Sequence, residues 1–347
     1  MKAIITMILF LSGVASAEWQ KMKVPTTASF RGLSVTSNDV VWASGTEGTV
    51  IRTVDGGENW STLRVPGAEN LDFRGIRGFD EKTAVIISSG PAEKGQAKIY
   101  RTTDSGKTWK QVYEEKRAGI FFDAVAFWDR KHGIVLSDPV DGKFALFATE
   151  DGGATWRQLP SPALPPALPN EGAFAASNSC LTVQGTSNVW FATGGASVAR
   201  VFRSSDRGKT WNVAETPMHP ANASSGIFSL AFEDANNGTA VGGDYAHPES
   251  SNLPNMMQSH DGGRTWRTGT PTNPAGMYFS SVAWLSGYKN SFIAAGAKGA
   301  IAYARGWLGG FDQNVNVAAS SKGGRSVWVA GPNGAIGQMG WVIEFRP

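Results

Sequence analysis

The chain has little of what metal sites, disulfides and nucleotide sites are made of. Of its 347 residues only one, Cys180, is a cysteine, so no internal disulfide can form. Its four histidines show neither the HExxH spacing nor another zinc-binding pattern. No glycine-rich phosphate-binding motif and no Gly-x-Ser-x-Gly nucleophile motif is present. We therefore expect no cofactor and no metal ion.

Charge and long apolar runs are also scarce. Charged residues make up 18% of the chain, the formal net charge is +3, and no block of lysines or arginines occurs. This balance argues against a nucleic-acid partner. No segment approaches the run of about 18 apolar residues that a membrane span needs. We expect a chain that neither crosses a membrane nor binds nucleic acid.

The N-terminus has the three parts of a secretory signal peptide. Lys2 supplies the charge, the run from Ile4 to Leu11 the apolar middle, and Ala15-Ser16-Ala17 the small-residue cleavage site. Cleavage after residue 17 leaves residues 18–347 as one domain in a secreted or periplasmic protein, which we expect to be a monomer. Glu18, not a cysteine, follows the cleavage site, so no lipid anchor is indicated.

What the chain has in quantity is glycine (42) and tryptophan (13), together with one motif that occurs five times. The motif is the Asp-box, [Ser/Thr]-x-Asp-x-Gly-x-[Thr/Asn]-Trp, and its aspartates are 49, 47, 55 and 55 residues apart. Self-similarity at such a period predicts a repeat architecture. The five aspartates are Asp55, Asp104, Asp151, Asp206 and Asp261.

Each requirement of the motif is a requirement of folding. The glycines supply the positive φ angles of a tight hairpin, and the aspartate can accept hydrogen bonds from the backbone N–H groups of the turn. The serine or threonine two residues earlier can do likewise. We therefore interpret the five Asp-box aspartates as structural, not catalytic.

The repeats predict an all-β fold, a seven-bladed β-propeller. Strand-like runs before and after each box give blades that start near residues 30, 73, 122, 174 and 227, and two further units without a box follow from residues 280 and 316. The last unit is short of an outer strand. The segment from Trp19 to Pro25 repeats the Trp, Val and Pro spacing of Trp60 to Pro66. Residues 19–24 are therefore predicted to close the seventh blade.

Long, irregular loops lie between the second and third strands and between the blades. If the boxes join the third and fourth strands, these loops share the opposite face, where function concentrates. Candidate binding residues at the channel mouth and its loops are Arg31, Arg74, Arg200, Asp244, Tyr245 and His247. Carboxylates that could serve a glycoside hydrolase are Asp123, Asp138, Asp141, Glu171 and Asp244.

Several segments resemble the photosystem II stability/assembly factor-like proteins of bacteria, which are secreted seven-bladed propellers. These segments are Phe121 to Trp128, Gly133 to Gly142, Leu168 to Ala176 and Gly226 to Phe232. The Phe-Arg-Gly sequence at 30–32 and 73–75 also resembles their repeats, whose arginines are associated with an interaction patch. The resemblance covers the whole mature chain and implies a binding or assembly role.

Sialidases are similar more distantly, through the signal peptide and the Asp-boxes. Their first blade opens with Phe-Arg-Ile-Pro, where this chain has Phe30-Arg-Gly-Leu. That departure weighs against hydrolysis of sialic acid. Two functions stay open at this point: a non-catalytic exported scaffold that binds a protein or glycan partner, and a secreted glycoside hydrolase. Two of these carboxyls about 5–9.5 Å apart across an open cleft, with one pKa raised, would favour hydrolysis. Carboxylates that are all paired to Arg31, Arg74 or Arg200 would favour binding or a structural role.

Overall fold

The structure is a computed structural model that describes residues 14–160, 163–220, 222–249, 254–269, 277–285, 288–304, 307–321 and 326–344. Most of the predicted signal peptide, residues 1–13, lies outside the described residues. Its last four residues begin the first strand of the structure.

Within these residues seven four-stranded antiparallel sheets form the blades. Each of the first five blades is one continuous run of chain. Blade one consists of β2 (Phe30–Val35), β3 (Val41–Gly45), β4 (Thr49–Thr53) and β5 (Ser61–Arg64), and blade two of β6 (Gly75–Gly78), β7 (Ala84–Ile87), β8 (Ala97–Thr102) and β9 (Lys110–Glu115). Blade three consists of β10 (Phe122–Phe127), β11 (Gly133–Val140), β12 (Lys143–Thr149) and β13 (Arg157–Gln158), and blade four of β14 (Leu181–Gln184), β15 (Asn188–Ala192), β16 (Arg200–Ser204) and β17 (Asn212–Glu215). Blade five consists of β18 (Ser225–Phe232), β19 (Gly238–Asp244), β20 (Met256–Ser259) and β21 (Arg267–Thr268).

The last two blades lack an Asp-box but keep four strands. Blade six consists of β22 (Ser281–Trp284), β23 (Ser291–Gly296), β24 (Gly299–Ala304) and β25 (Trp307–Phe311). Blade seven consists of β26 (Val317–Ser320), β27 (Val327–Ala330), β28 (Ile336–Glu344) and the N-terminal strand β1 (Val14–Lys21). Two short 3₁₀ helices, Ala92–Lys94 and Pro332–Gly334, lie in loops.

The two ends of the chain meet in blade seven, as the sequence predicts. Strand β1 pairs antiparallel with β28 and forms the outer edge of the blade. It begins before the predicted residue 19, and after cleavage behind Ala17 the pairs from Glu18 opposite Gly340 to Lys21 opposite Gly337 are retained. Trp19 packs against the ring of Phe311 in blade six, with ring centroids 5.4 Å apart. The closing strand therefore also joins two blades.

The apolar core is divided among the interfaces between blades. Each described cluster of buried side chains joins two neighbouring blades: one, for example, packs Trp42 and Val50 of blade one against Phe73 and Ile76 of blade two. Another packs Phe30 of blade one against blade seven, so the ring is closed by side chains as well as by strands. A blade buries its two faces only between its neighbours, and the ring is stable as a whole.

The Asp-boxes occupy the turns between the third and fourth strands of the first five blades, on one face of the propeller. In the first box Thr53 donates its hydroxyl hydrogen to Asp55 Oδ1 at 2.7 Å, and the N–H of Gly57 donates to Thr53 Oγ1 at 3.0 Å. The backbone N–H of Asn59 donates to Asp55 Oδ1 at 2.9 Å. The same three bonds recur in the other four boxes. The aspartates thus satisfy their own turns.

Removal of the closing strand should destabilise the ring. We expect a mature protein that starts at Met22 to melt several degrees below one that starts at Glu18, because the edge of β28 loses its partner and Phe311 loses its contact with Trp19. Thermal unfolding followed by circular dichroism measures the difference. Gln20→Ala, at an exposed position of the intact strand, is the control and should melt like the parent. Equal melting temperatures for the two starting points would contradict this account.

The Asp-box carboxylates should make stability depend on acid pH. The backbone N–H of Asn59, with the side chains of Thr53 and Asn59, lowers the pKa of Asp55 to about 2. The unfolded chain then binds more protons than the folded one below about pH 4, so stability is lost as pH falls toward the folded pKa. Asp55→Ala should lower the melting temperature at neutral pH and flatten its decline on acidification. Glu58→Ala, at an exposed residue of the same turn, should change neither.

Candidate functional site

A cavity of about 550 Å³ opens at the mouth of the central channel, on the face opposite the Asp-boxes. Blades one, two, three, five, six and seven contribute to it, together with the connection between blades three and four. One residue in or directly before each of six first strands lines it. In chain order these are Arg31, Arg74, Asp123, Phe228, Ser280 and Asn316.

β-Bulges in the strands orient several of these side chains toward the cavity. The pairing register shifts at a β-bulge at Arg31 in β2, at Asp123 in β10 and at Phe228 in β18, and a further bulge in β11 contains Asp138. A bulge leaves one residue out of the ladder and redirects its side chain. The residue before each first-strand bulge stays buried, so the bulged side chain turns toward the channel instead.

Two guanidinium groups stand side by side at one part of the cavity, here called the arginine pole (Arg31 and Arg74). Arg31 donates to the carbonyl of Ala176 at 3.2 Å and Arg74 to that of Ala175 at 3.4 Å, so consecutive carbonyls hold the pair. Arg74 also forms an ion pair with Asp72 at 2.7 Å. Arg31 forms no ion pair with any residue that the structure describes. Burial and the charge of Arg74 lower the pKa of Arg31. The pole therefore carries excess positive charge and suits an anion.

Two carboxyl groups lie in the same cavity, here called the acid pole (Asp123 and Asp138). Asp123 is 1% exposed, and its Oδ2 has no hydrogen-bond partner among the described residues. Burial, and then the neighbouring Asp138, raise its pKa well above the usual value. Asp138 Oδ1 accepts a hydrogen bond from the N–H of Ala173 at 3.0 Å, but burial outweighs this bond and raises its pKa to about 6. Neither carboxyl has a cationic neighbour close enough to offset the effect of burial on its pKa.

An aromatic wall (Phe174, Phe228, Tyr245 and Tyr278) lines another part of the cavity. Phe174 stacks on Phe228 with ring centroids 3.9 Å apart, and Tyr278 meets Phe228 edge-on at 4.8 Å. Tyr245 is 55% exposed although it lies against both phenylalanines. Exposed aromatic surface beside charged groups is typical of a recognition site.

Arg200 and Glu171 lie elsewhere and neutralise each other. Their side chains form a bidentate ion pair, with Glu171 fully buried and Arg200 only 8% exposed. Thr193 donates to Glu171 Oε1 at 2.6 Å, and Arg200 also bonds to the carbonyl of Pro166 at 2.8 Å. Neither side chain lines the cavity. The pair fixes the connection between blades three and four, which supplies Ala175 and Ala176 to the arginine pole.

Asp244 and His247 also lie outside the cavity lining, in the loop that presents Tyr245. Asp244 accepts hydrogen bonds from Asn222 Nδ2 at 2.9 Å, from Ser224 Oγ at 2.6 Å and from the N–H of Ala246 at 2.9 Å, and it contacts His247 Nδ1 at 3.1 Å. Burial alone would raise the pKa of Asp244, but these bonds hold it well below the usual range. Asp244 organises this loop.

Asp141 lies in the exposed turn between β11 and β12, away from the acid pole. Of the sequence-predicted site residues, the cavity thus brings together Arg31, Arg74, Asp123, Asp138 and Tyr245. The side chains of the other predicted residues do not line the cavity; these are Arg200, Glu171, Asp244, His247 and Asp141.

Phe228, Ser280 and Asn316 were not among the site residues predicted from the sequence. A signal for them exists, because each follows a buried apolar residue near the start of a first strand, as Arg31 follows Phe30. Aligning all seven units on that position, instead of on the Asp-box, finds them.

In the part of the chain that the structure describes, no helix is long and apolar enough to cross a membrane. No group of three or more His, Cys, Asp or Glu side chains among those residues is arranged to hold a metal ion.

The fold and its turns define the class: the chain is an Asp-box repeat β-propeller with seven blades. The family model described as "Photosynthesis system II assembly factor YCF48" matches residues 11–119. The chain is 24% identical to the Photosystem II assembly lipoprotein Ycf48 of Synechococcus sp. (strain CC9902) over 73% of its own length, and the match spans 66% of that relative, just under two thirds. The predicted resemblance to photosystem II assembly factors is confirmed.

Solved structures agree on the fold. YCF48 from Cyanidioschyzon merolae superposes with a TM-score of 0.65 at 15% identity, covering 93% of this chain and 98% of that one. The structure of "YCF48 bound to D1 peptide" superposes with a TM-score of 0.64 at 16% identity, covering 95% of this chain and 97% of that one. At these identities the likeness establishes the propeller architecture.

Substitutions of Arg200 and Arg74 should distinguish an arginine that stabilises the fold from one that is available to a ligand. Arg200→Ala leaves Glu171 buried without its partner, and we expect a loss of about 3–5 kcal/mol in the free energy of unfolding. Arg74→Ala removes an ion pair at the cavity wall whose side chains are 30% and 23% exposed, and it should cost about 1 kcal/mol. Urea denaturation of both variants measures the two losses. If Arg74→Ala were as damaging as Arg200→Ala, the arginine pole would be part of the structural framework and not a free anion site.

Proposed function

We propose that this chain is an exported, non-catalytic scaffold that binds an acidic segment of a protein partner in the central cavity. The observation that carries the proposal is the arginine pole. Arg31 and Arg74 are held side by side on backbone carbonyls, and Arg31 has no ion-pair partner among the described residues. A carboxylate is the natural ligand for such a pair, because it can accept two charge-assisted hydrogen bonds.

The similar proteins support a protein partner. The curated relatives are named as photosystem II assembly proteins, and one similar propeller was solved with a peptide bound. We infer a corresponding role in binding or assembly for this chain. A glycan that carries a carboxylate offers the arginines the same chemistry and is the other ligand to test.

Export is inferred from the N-terminal 17 residues. Cleavage after Ala17 is compatible with the propeller, since Glu18, Trp19, Gln20 and Lys21 keep their pairing with β28. We infer a secreted or periplasmic monomer.

One observation favours a glycoside hydrolase as a second function. The acid pole places two carboxyls in one cavity, and the pKa of Asp138, raised to about 6, would suit a general acid. Burial argues against this role, because a nucleophilic carboxylate must be ionised and burial raises the pKa of Asp123 well above the usual value. We therefore expect no turnover.

Neutralising the arginine pole should abolish partner binding without unfolding the protein. Arg31→Ala together with Arg74→Ala should weaken binding to acidic peptides on an array by about 1.5–3 kcal/mol for each charge-assisted bond lost. Lys143→Ala, at an exposed residue that begins β12 and lies outside the cavity lining, should have no effect. The parent protein should hydrolyse no substrate in a chromogenic glycoside panel. Binding of acidic peptides that persists in the double variant would contradict the proposed function. Hydrolysis that is lost in Asp138→Asn would establish the alternative.

A further inference from the structure

The buried carboxyl of the acid pole is not fully satisfied by hydrogen bonds. The Asp123 carboxyl is buried at the cavity wall, and its Oδ2 has no partner among the described residues. Leaving such a group unbonded is costly, and native proteins rarely do so without a functional reason. Replacing the aspartate by an apolar side chain would remove that cost. Its presence beside a ligand-sized cavity therefore points to a group that the ligand supplies.

The neighbouring charges indicate which kind of group fits. The groups that act on Asp123 are Asp138 of β11, the Cys180 thiol ahead of β14, and Arg74 ahead of β6. Cys180 is buried and uncharged, because burial raises the pKa of its thiol well above the usual value. Arg74 is already bonded to Asp72 and to the carbonyl of Ala175. The two carboxyls of the acid pole thus have no cation of their own.

We propose that the cavity is a two-pole site, and that the bound segment presents a lysine or arginine side chain to the acid pole as well as a carboxylate to the arginine pole. This inference rests on the proposed function and adds to it the chemistry of the ligand. The ammonium or guanidinium group donates to Asp123 Oδ2 and Asp138. The aromatic wall packs against the apolar stem of the same side chain.

Binding of a cation at the acid pole should release protons. Because both pKa values are raised, and that of Asp138 to about 6, the carboxyls of the empty site hold protons below about pH 6. A bound cation favours the ionised carboxylates and lowers both pKa values. Binding of a cationic segment therefore releases protons, and its affinity rises as pH increases through about 6, whereas binding of a segment that lacks the cation does not show this rise.

Four pools of fluorescent decapeptides test the proposal. In each peptide two positions, one to four residues apart, are fixed, and all other positions are mixtures of uncharged residues. The fixed pair is Asp with Lys in the first pool, Asp with norleucine in the second, Asn with Lys in the third and Asn with norleucine in the fourth. Anisotropy with the parent protein should give the Asp and Lys pool about tenfold tighter binding than the Asp and norleucine pool. In Asp123→Asn this advantage should vanish, while affinity for the Asp and norleucine pool stays the same.

Asp141→Asn is the matched control, since it neutralises an exposed carboxylate outside the cavity and should keep the full advantage of the Asp and Lys pool. Melting temperatures confirm that each variant is folded. A calorimetric titration in two buffers of different ionisation enthalpy should detect proton release only with the Lys-containing pools.

The outcomes separate the two claims. If the pool with Asp and Lys bound no more tightly than the pool with Asp and norleucine, and binding of both depended on Arg31, the two-pole site would be wrong and the proposed function would stand. Binding of the Asn and Lys pool that depends on Asp123 but not on Arg31 would overturn the proposed function and retain the acid pole. Binding of no pool would overturn both.

Discussion

The pairing of β1 with β28 is the contact on which the rest of the structure depends. Each blade buries its two faces only against its neighbours, so a ring with one open seam would expose apolar surface on both sides of the gap. The N-terminal strand completes blade seven, and Trp19 reaches Phe311 of blade six. Because the ring is closed, the starts of its first strands are fixed around one axis. A cavity assembled from distant parts of the sequence follows from that closure.

The two faces of the propeller use polar side chains in different ways. On the Asp-box face each carboxylate finds its donors within its own turn, as Asp55 does with Thr53 and Asn59. At the channel mouth Arg31 and Asp123 find few partners, because β-bulges turn them out of the ladder toward an open space. Polar groups that are satisfied locally stabilise the fold, whereas groups left unsatisfied at the cavity are available to a ligand.

The sequence predicted the architecture because the information was local and repeated. The Asp-box fixes a hairpin within eight residues, and five copies gave the blade period and the shared face of the boxes. Closure by the N-terminus followed from the likeness of the segment at Trp19 to that at Trp60. The start of β1 at Val14 did not follow, since pairing with β28 extends into residues read as a signal peptide.

The site was predictable only in part. Arg31, Arg74 and Asp123 were found from their positions at the starts of first strands, but Glu171 and Arg200 were not separable from them, because a bond between residues 29 positions apart leaves no mark in the sequence. Asp138 was found as a loop carboxylate, yet its burial beside Asp123 depends on two bulges whose register is set across strands. Such placements arise from tertiary packing, which a repeat pattern does not encode.

The ion pairs that are present explain the charge that is left over. Glu171 neutralises Arg200, Asp72 neutralises Arg74, and hydrogen bonds stabilise Asp244 within its loop. What is left at the cavity is one guanidinium without an ion-pair partner among the described residues, Arg31, and two carboxyls without a cation of their own, Asp123 and Asp138. Burial raises the pKa of both carboxyls and so favours their uncharged form, whereas an arginine keeps its charge. These groups therefore do not neutralise one another. A ligand of mixed charge resolves both deficits at once, which neither a purely acidic nor a purely basic segment does.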